Sequence, residues 1–213
     1  MTDMGKQRPV LAAVMAAAGT VGLYRWAVRP RMYTWGATAD EVAAELPGDD
    51  LVEAGAPRST RAVTVDAPVE AIWPWLVQIG EDRGGFYSYD WLERLAGTDI
   101  RNADVVRREW QDVHVGDTVW LGRRYGQRAR LVVAEVQPKS HLVLMSVPDF
   151  ERLRRGEKAF GSWAFHLRPH NGGTRLLARG TGGAVGVTGF DIAHFVMERR
   201  MLQGIRDRAT GNR

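Results

Sequence analysis

Two strand-like runs, 161–168 and 174–179, are joined by His170-Asn171-Gly172-Gly173. Asn-Gly between such runs is a strong signal for a tight antiparallel hairpin. The stretch 128–147 reads the same way, with Gln137-Pro138-Lys139-Ser140 as its turn. After the second hairpin comes a helix capped by Asp191 and running to about Arg208. Its Ile192, Phe195, Val196, Leu202, Ile205 and Ala209 recur at helical spacing, with Arg199 the one charge on that stripe. Consecutive antiparallel strands followed by a long helix with one apolar face confine the chain to an α+β fold. In it, a sheet carries the helix on one side.

Upstream, residues 61–65 read as a strand and 66–68 as a turn. Residues 69–79 have helical apolar spacing, with Pro74 marking a kink or a fresh start. Gly84-Gly85 breaks the chain, Ser88 is positioned to cap a helix reaching residue 96, and Thr118 begins a strand ending at 121. Ahead of these, Thr38 can cap a short helix over 40–46, which Pro47-Gly48-Asp49-Asp50 ends. Glycine-rich 180–189 reads as a mobile loop. The chain thus divides into an N-terminal apolar helix outside the domain (1–32), a connector (33–58) and one domain (59–210).

The N-terminal segment is apolar from Val10 to Leu23, with Lys6 and Arg8 before it, Tyr24 and Trp26 at its end, and Arg25, Arg29 and Arg31 around and beyond them. As a helix it reaches about 21 Å against a hydrocarbon core of about 30 Å, so it approaches a span only if extended to Val28 with Arg25 snorkelling. The expectation is a membrane partner contacted through residues 10–28, with the main domain on the cytoplasmic side from the denser basic residues that follow. A helix docked on the protein, or a signal peptide cleaved near Ala16-Ala17-Ala18, are the alternatives.

The chain has no cysteine and five dispersed histidines, so thiolate chemistry is excluded and a three-ligand metal site is not expected. It lacks a P-loop, a nucleophile elbow and a dinucleotide fingerprint in a strand-to-helix setting, and no cofactor is expected. A net charge of +4 comes from basic residues spread along the chain in pairs such as Arg107-Arg108 and Arg123-Arg124, which argues against nucleic acid as a partner.

Five stretches carry a resemblance: VTVDAPVEAIWPWLVQIG, DRGGFYSYDWLERLAG, IRNADVVRREWQDVHVGD, SWAFHLRP followed by GGTRLLAR, and HFVMERRMLQGI. In these the chain resembles the START-like SRPBCC superfamily, over most of residues 33–208, and looks like an uncharacterised bacterial branch of it. The resemblance implies a helix-grip fold, a curved antiparallel sheet around a long C-terminal helix, with a hydrophobic small molecule held between them. The superfamily contains lipid carriers, hormone receptors, polyketide cyclases and aromatase-type enzymes, so it does not choose an activity.

Several residues are candidates for the site. Arg83, Tyr87, Tyr89 and Asp90 sit in a loop that could hold a polar ligand end, or could simply begin a helix. Trp110 lies beside Asn102, Asp104, Glu109 and Gln111, which also read as a hydrogen-bonded loop. Trp73, Trp75, Trp120 and Trp163 line a cavity or fill a core. His166 is mid-strand; Phe195 and Arg199 lie on the inward stripe of the last helix. His194 and Glu198, four apart, read as a surface pair. Three functions remain open: carriage of a lipid-like or polyketide-like molecule; a cyclase or dehydratase in which Tyr87, Asp90, His166 or His194 moves protons; and a membrane-tethered protein-interaction module.

Overall fold

The computed structural model describes residues 19–95 and 97–212. Helical backbone from residue 19, with a π-helical stretch at Tyr24–Val28, leads into α1 (Arg29–Tyr33) and, after a turn, α2 (Ala39–Ala43). The domain proper follows as β1 (Arg58–Val65), α3 (Val69–Val77), α4 (Asp90–Leu95), β2 (Thr118–Trp120), β3 (Arg130–Gln137), β4 (His141–Ser146), α5 (Val147–Arg154), β5 (Gly161–His170), β6 (Gly173–Gly182) and α6 (Thr188–Ala209). The strands form one curved antiparallel sheet ordered β1-β6-β5-β4-β3-β2, so the first strand closes onto the last. The architecture is the α+β helix-grip arrangement expected from the sequence.

Asn171 (φ 48°) and Gly172 (φ 83°) take the left-handed conformations that a two-residue hairpin turn needs, and they fix the register His170↔Gly173 through Gly161↔Gly182. A one-residue slip would turn every buried side chain of β5 to the other face. Register therefore sorts Phe165 and Leu167 to the inner face, and Ala164 and His166 to the outer one. On the inner face Val65, Phe165, Leu176 and Ala178 pack against Ile72 and Leu76 of α3 and Leu202 and Ile205 of α6. Each fully buried aliphatic side chain here contributes about 1.5–3 kcal/mol.

α3 runs through Pro74 and stops at Val77, two residues before the expected end. Ser88 does not cap α4: its hydroxyl donates to the Met197 carbonyl of α6 at 2.9 Å, tying the two helices together. Asp191 does not cap α6 either, because that helix begins at Thr188. Its carboxylate accepts from the Gly186 amide (3.1 Å) and the Tyr33 hydroxyl (2.7 Å) and faces Arg29 at 3.5 Å, which fastens α1 to the start of α6. The glycine-rich segment is largely strand, since β6 reaches Gly182 and only 183–187 lies outside regular structure.

The apolar stripe of α6 holds in its second half and fails in its first. Ile192, Val196 and Arg199 are exposed, whereas Asp191, Glu198, Met201, Leu202 and Ile205 face inward. Counting apolar residues misplaces a face whose buried members are charged and paired. Gly204 sets how close this helix comes: a Cβ there would stand 2.8 Å from the Cβ of Tyr87 and run into its carbonyl.

The connector packs on the outer face of the sheet. Thr38 and Glu41 form a reciprocal capping box at the start of α2. At the other end, the buried Arg179 of β6 donates to the carbonyls of Glu41 (2.8 Å), Val42 (3.3 Å) and Ala44 (2.8 Å), which the helix leaves without partners. Arg179 also pairs with Asp49 at 2.5 Å, and Arg175 grips both carboxylate oxygens of Glu41. Among the described residues no helix is long and apolar enough to cross a membrane; residues 10–18 of the expected anchor lie outside them.

Candidate functional site

Between the inner face of the sheet, α4 with the segment after it, and the first half of α6 lies a cavity of about 880 Å³. Its wall is almost wholly apolar. Leu144 of β4 and Trp163 of β5 form the floor, Leu92 and Leu95 one side, and Met197 and Met201 the roof. The second half of α6 packs down through the buried Leu202 and Ile205, with Gly204 against Tyr87, whereas the first half reaches the sheet through Glu198, on Arg61 and Trp163, and otherwise stands over small residues, Gly161, Ser162, Gly180 and Gly182.

Among the polar side chains that face this space, two features differ in character. The first is a buried cluster. Glu198 accepts from Arg61 Nη1 (2.5 Å) through one oxygen and from the Trp163 indole N–H (2.5 Å) through the other. Arg61 also donates to the Met32 carbonyl (2.8 Å), and its Nη1 lies 3.3 Å from His194 Nδ1. Because a guanidinium only donates, Nδ1 must accept, so the neutral imidazole carries its proton on Nε2, which lies 3.6 Å from Glu198. Phe190 stacks on the ring at 5.2 Å. Burial alone would raise the Glu198 pKa, but His194, Arg61 and Trp163 hold it below the usual carboxylate value. Burial pushes His194 the other way, below the usual histidine value, against the pull of Glu198. The cluster is thus a neutral His beside a compensated ion pair. His194 and Glu198 are not the surface pair that their spacing suggested.

The second group is Glu93. It is 7% exposed, lines the cavity beside Leu92, and its Oε2 has no hydrogen-bond partner among the described residues. Burial, with Asp90 nearby, pushes its pKa up to about 7. Among the described residues no group of three or more His, Cys, Asp or Glu side chains is placed to hold a metal ion.

Of the candidates drawn from the sequence, Trp163 lines the cavity together with the His194–Glu198 pair, while Trp75 is in the main core. Tyr87 is buried with its hydroxyl on the Trp75 carbonyl (3.0 Å), and Arg83 donates to the carbonyls of Val77 and Thr118, each at 3.4 Å. Tyr89 is exposed beside Trp91, and Asp90 pairs with Arg94 at 3.3 Å in solvent. Trp73 packs on the main core; Trp110 and Trp120 carry Arg107 and Arg123 over their rings. Phe195 lies under Arg61, Arg199 is exposed over Trp35, and His166 is on the opposite face of the sheet beside His141. The four proton carriers named for a cyclase are therefore in separate places, with His194 alone at the cavity. Glu93 was passed over, because a glutamate on a short helix between leucines carries no mark of burial in the sequence.

Fold and site together define an α+β helix-grip protein with an apolar cavity between its sheet and last helix. No family model matches the chain, and no curated protein matches it. Solved structures are similar to it. Protein NE0264 from Nitrosomonas europaea is 13% identical, with 79% of this chain and 100% of that chain covered and a TM-score of 0.48. Protein MLL2253 from Mesorhizobium loti is 14% identical, covering 74% and 99%, with a TM-score of 0.41. Protein Ms6760 from Mycobacterium smegmatis is 15% identical, covering 76% and 96%, at 0.42.

Proposed function

We propose that this protein, as an SRPBCC-like domain, binds or carries a hydrophobic small molecule between its sheet and α6. The observation that carries this reading is the cavity, about 880 Å³ with an apolar wall. That volume lies in the range of pockets that take a small ligand, and an apolar wall of this size gains when an apolar guest replaces water. A fluorescent aliphatic probe added to the full-length protein is expected to brighten saturably at one site per chain. Ala193→Trp, which puts an indole into the cavity from α6, is expected to weaken that binding about tenfold or more, since an overfilled apolar site loses its guest. A probe bound equally by both proteins would place binding elsewhere and remove this reading.

A catalytic reading has one observation in its favour: Glu93, with a pKa near 7, can exchange a proton at neutral pH. It would give the acid–base work to Glu93 and His194 instead of Tyr87, Asp90 or His166. An aromatic polyketide-like precursor bound in the same assay but recovered unchanged counts against it.

We also propose that the helical residues ahead of α1 rest on a lipid surface. Val21, Leu23 and Trp26 are exposed there, Trp26 by 86%, with Arg25 beside them. Apolar side chains interleaved with arginine suit an interfacial helix on anionic lipid. Phenylalanine at Trp26 is expected to remove most of the blue shift in tryptophan emission seen when anionic vesicles are added; an undiminished shift, or none in the parent protein, rejects the contact.

A further inference from the structure

Three carboxylates face the cavity, and two of them are already satisfied. Glu198 has one oxygen on Arg61 and the other on Trp163. Asp149, at the start of α5, accepts the Phe160 amide (2.7 Å) on one oxygen and the Ser146 hydroxyl (2.6 Å) on the other. Glu93 is different: it lines the cavity, and its buried Oε2 has no partner among the described residues. An unmatched buried carboxyl is costly and calls for a cause, and at a cavity wall a ligand group is one that supplies the missing partner. The wall also decides the sign of that guest. No lysine or arginine contributes to the lining, so a fatty-acid headgroup would find no cation there, whereas an ammonium would find Glu93.

We infer that the cavity selects an amphiphile with a protonated amine, its apolar body on the leucine, methionine and tryptophan wall and its ammonium on the Glu93 carboxylate. This rests on the small-molecule reading above and adds the headgroup. Such an ion pair is a charge-assisted hydrogen bond, which both gives the carboxylate a partner and neutralises it. Leu92 and Leu95 on α4 give the adjoining chain an apolar wall.

The selectivity follows pH. An alkylammonium keeps its charge well above neutrality, so the titrating partner is Glu93, which is ionised above about 7 and protonated below. The other groups facing the space do not reverse this. On its own helix, Asp90 is paired with Arg94. On α6, His194 is held below its ordinary value and Glu198 is held ionised by Arg61. Asp149 is bonded on both oxygens, and Tyr125 completes the lining.

The test is a calorimetric comparison on the full-length protein of decylamine, decanol and decanoic acid, each below its aggregation limit, at pH 6 and pH 8. Decylamine is expected to bind about tenfold or more tighter than decanol at pH 8, with decanoic acid weakest, and the amine-to-alcohol ratio is expected to shrink at pH 6. In Glu93→Gln, and in Glu93→Ala should the amide perturb folding, that ratio is expected to fall to near one at both pH values. Decanol matching or exceeding decylamine at pH 8, decanoic acid binding tightest, or a ratio indifferent to Glu93 would each overturn the inference while leaving a cavity that binds apolar molecules. Binding by none of the three would instead reject that underlying reading, and the inference with it.

Discussion

Replacing Arg61 with alanine is expected to lower the free energy of unfolding by about 3–5 kcal/mol, the loss typical of removing one partner from a buried ion pair. Both side chains of the Arg61–Glu198 pair are 1% exposed. The change leaves Glu198 with the Trp163 indole and no opposing charge, and it also strands the Met32 carbonyl. Either Glu198 takes up a proton or the first half of α6 lifts to wet it. Urea denaturation at pH 7 measures the loss. The companion double replacement, Arg61→Met with Glu198→Leu, removes both charges and is expected to recover most of it, because a well-packed apolar pair avoids the desolvation cost. An Arg61→Ala protein within about 1 kcal/mol of the parent, below the cost expected for a stranded buried charge, would mean that the pair is solvated in solution.

Acidification should expose a second weakness, on the other face of the sheet. His166 is 3% exposed, its Nε2 has no partner among the described residues, and burial together with His141, Arg179 and Arg168 lowers its pKa to about 3. The unfolded chain titrates near 6.5, so it binds this proton first as the pH falls. The neutral buried imidazole therefore costs nothing above pH 6.5, and stability is lost progressively between 6.5 and about 3. At pH 4 the loss from this residue alone is about 3 kcal/mol. Ionised Glu41 and Glu198, held below their ordinary values, add to the decline at its acid end, whereas Glu93, raised from 4.5 to about 7, gains stability on protonation and offsets part of it. Thermal unfolding of the parent and of His166→Gln between pH 7 and 4 separates the contributions: the variant is expected to keep the carboxylate contributions and to lose the histidine one, so the parent loses stability relative to the variant as the pH falls. Parallel curves would show that His166 already takes up its proton in the folded state.

These two residues illustrate what the sequence could reveal. The hairpin built on Asn171-Gly172, the turn at Gln137-Pro138-Lys139-Ser140 and the cap at Thr38 are written in local chemistry, where a few neighbouring residues determine the backbone. The inward face of α6 is not, because its decisive members, Asp191, His194 and Glu198, are polar and become interior only through partners such as Tyr33, Trp163 and Arg61, which come from elsewhere in the chain. Aromatic content was a poor guide to the cavity for the same reason. Of eight tryptophans only Trp163 faces it, since whether a ring packs or lines depends on how far a helix stands from a sheet. In its second half α6 is set against the loop that carries Tyr87, at an approach that the missing side chain of Gly204 allows.

The residues ahead of β1 also change what counts as a module here. Arg179 draws three of its acceptors from residues 41–44, Arg61 takes the carbonyl of Met32, and Asp191 takes the hydroxyl of Tyr33. A boundary drawn at residue 59, one residue into the first strand, would sever all of them, stripping Arg179 of its outer-face acceptors and Arg61 of the Met32 carbonyl. The smallest piece that can be transplanted, fused or inherited intact therefore begins no later than α1, and the stretch that reads as a linker is a structural strap that travels with the fold.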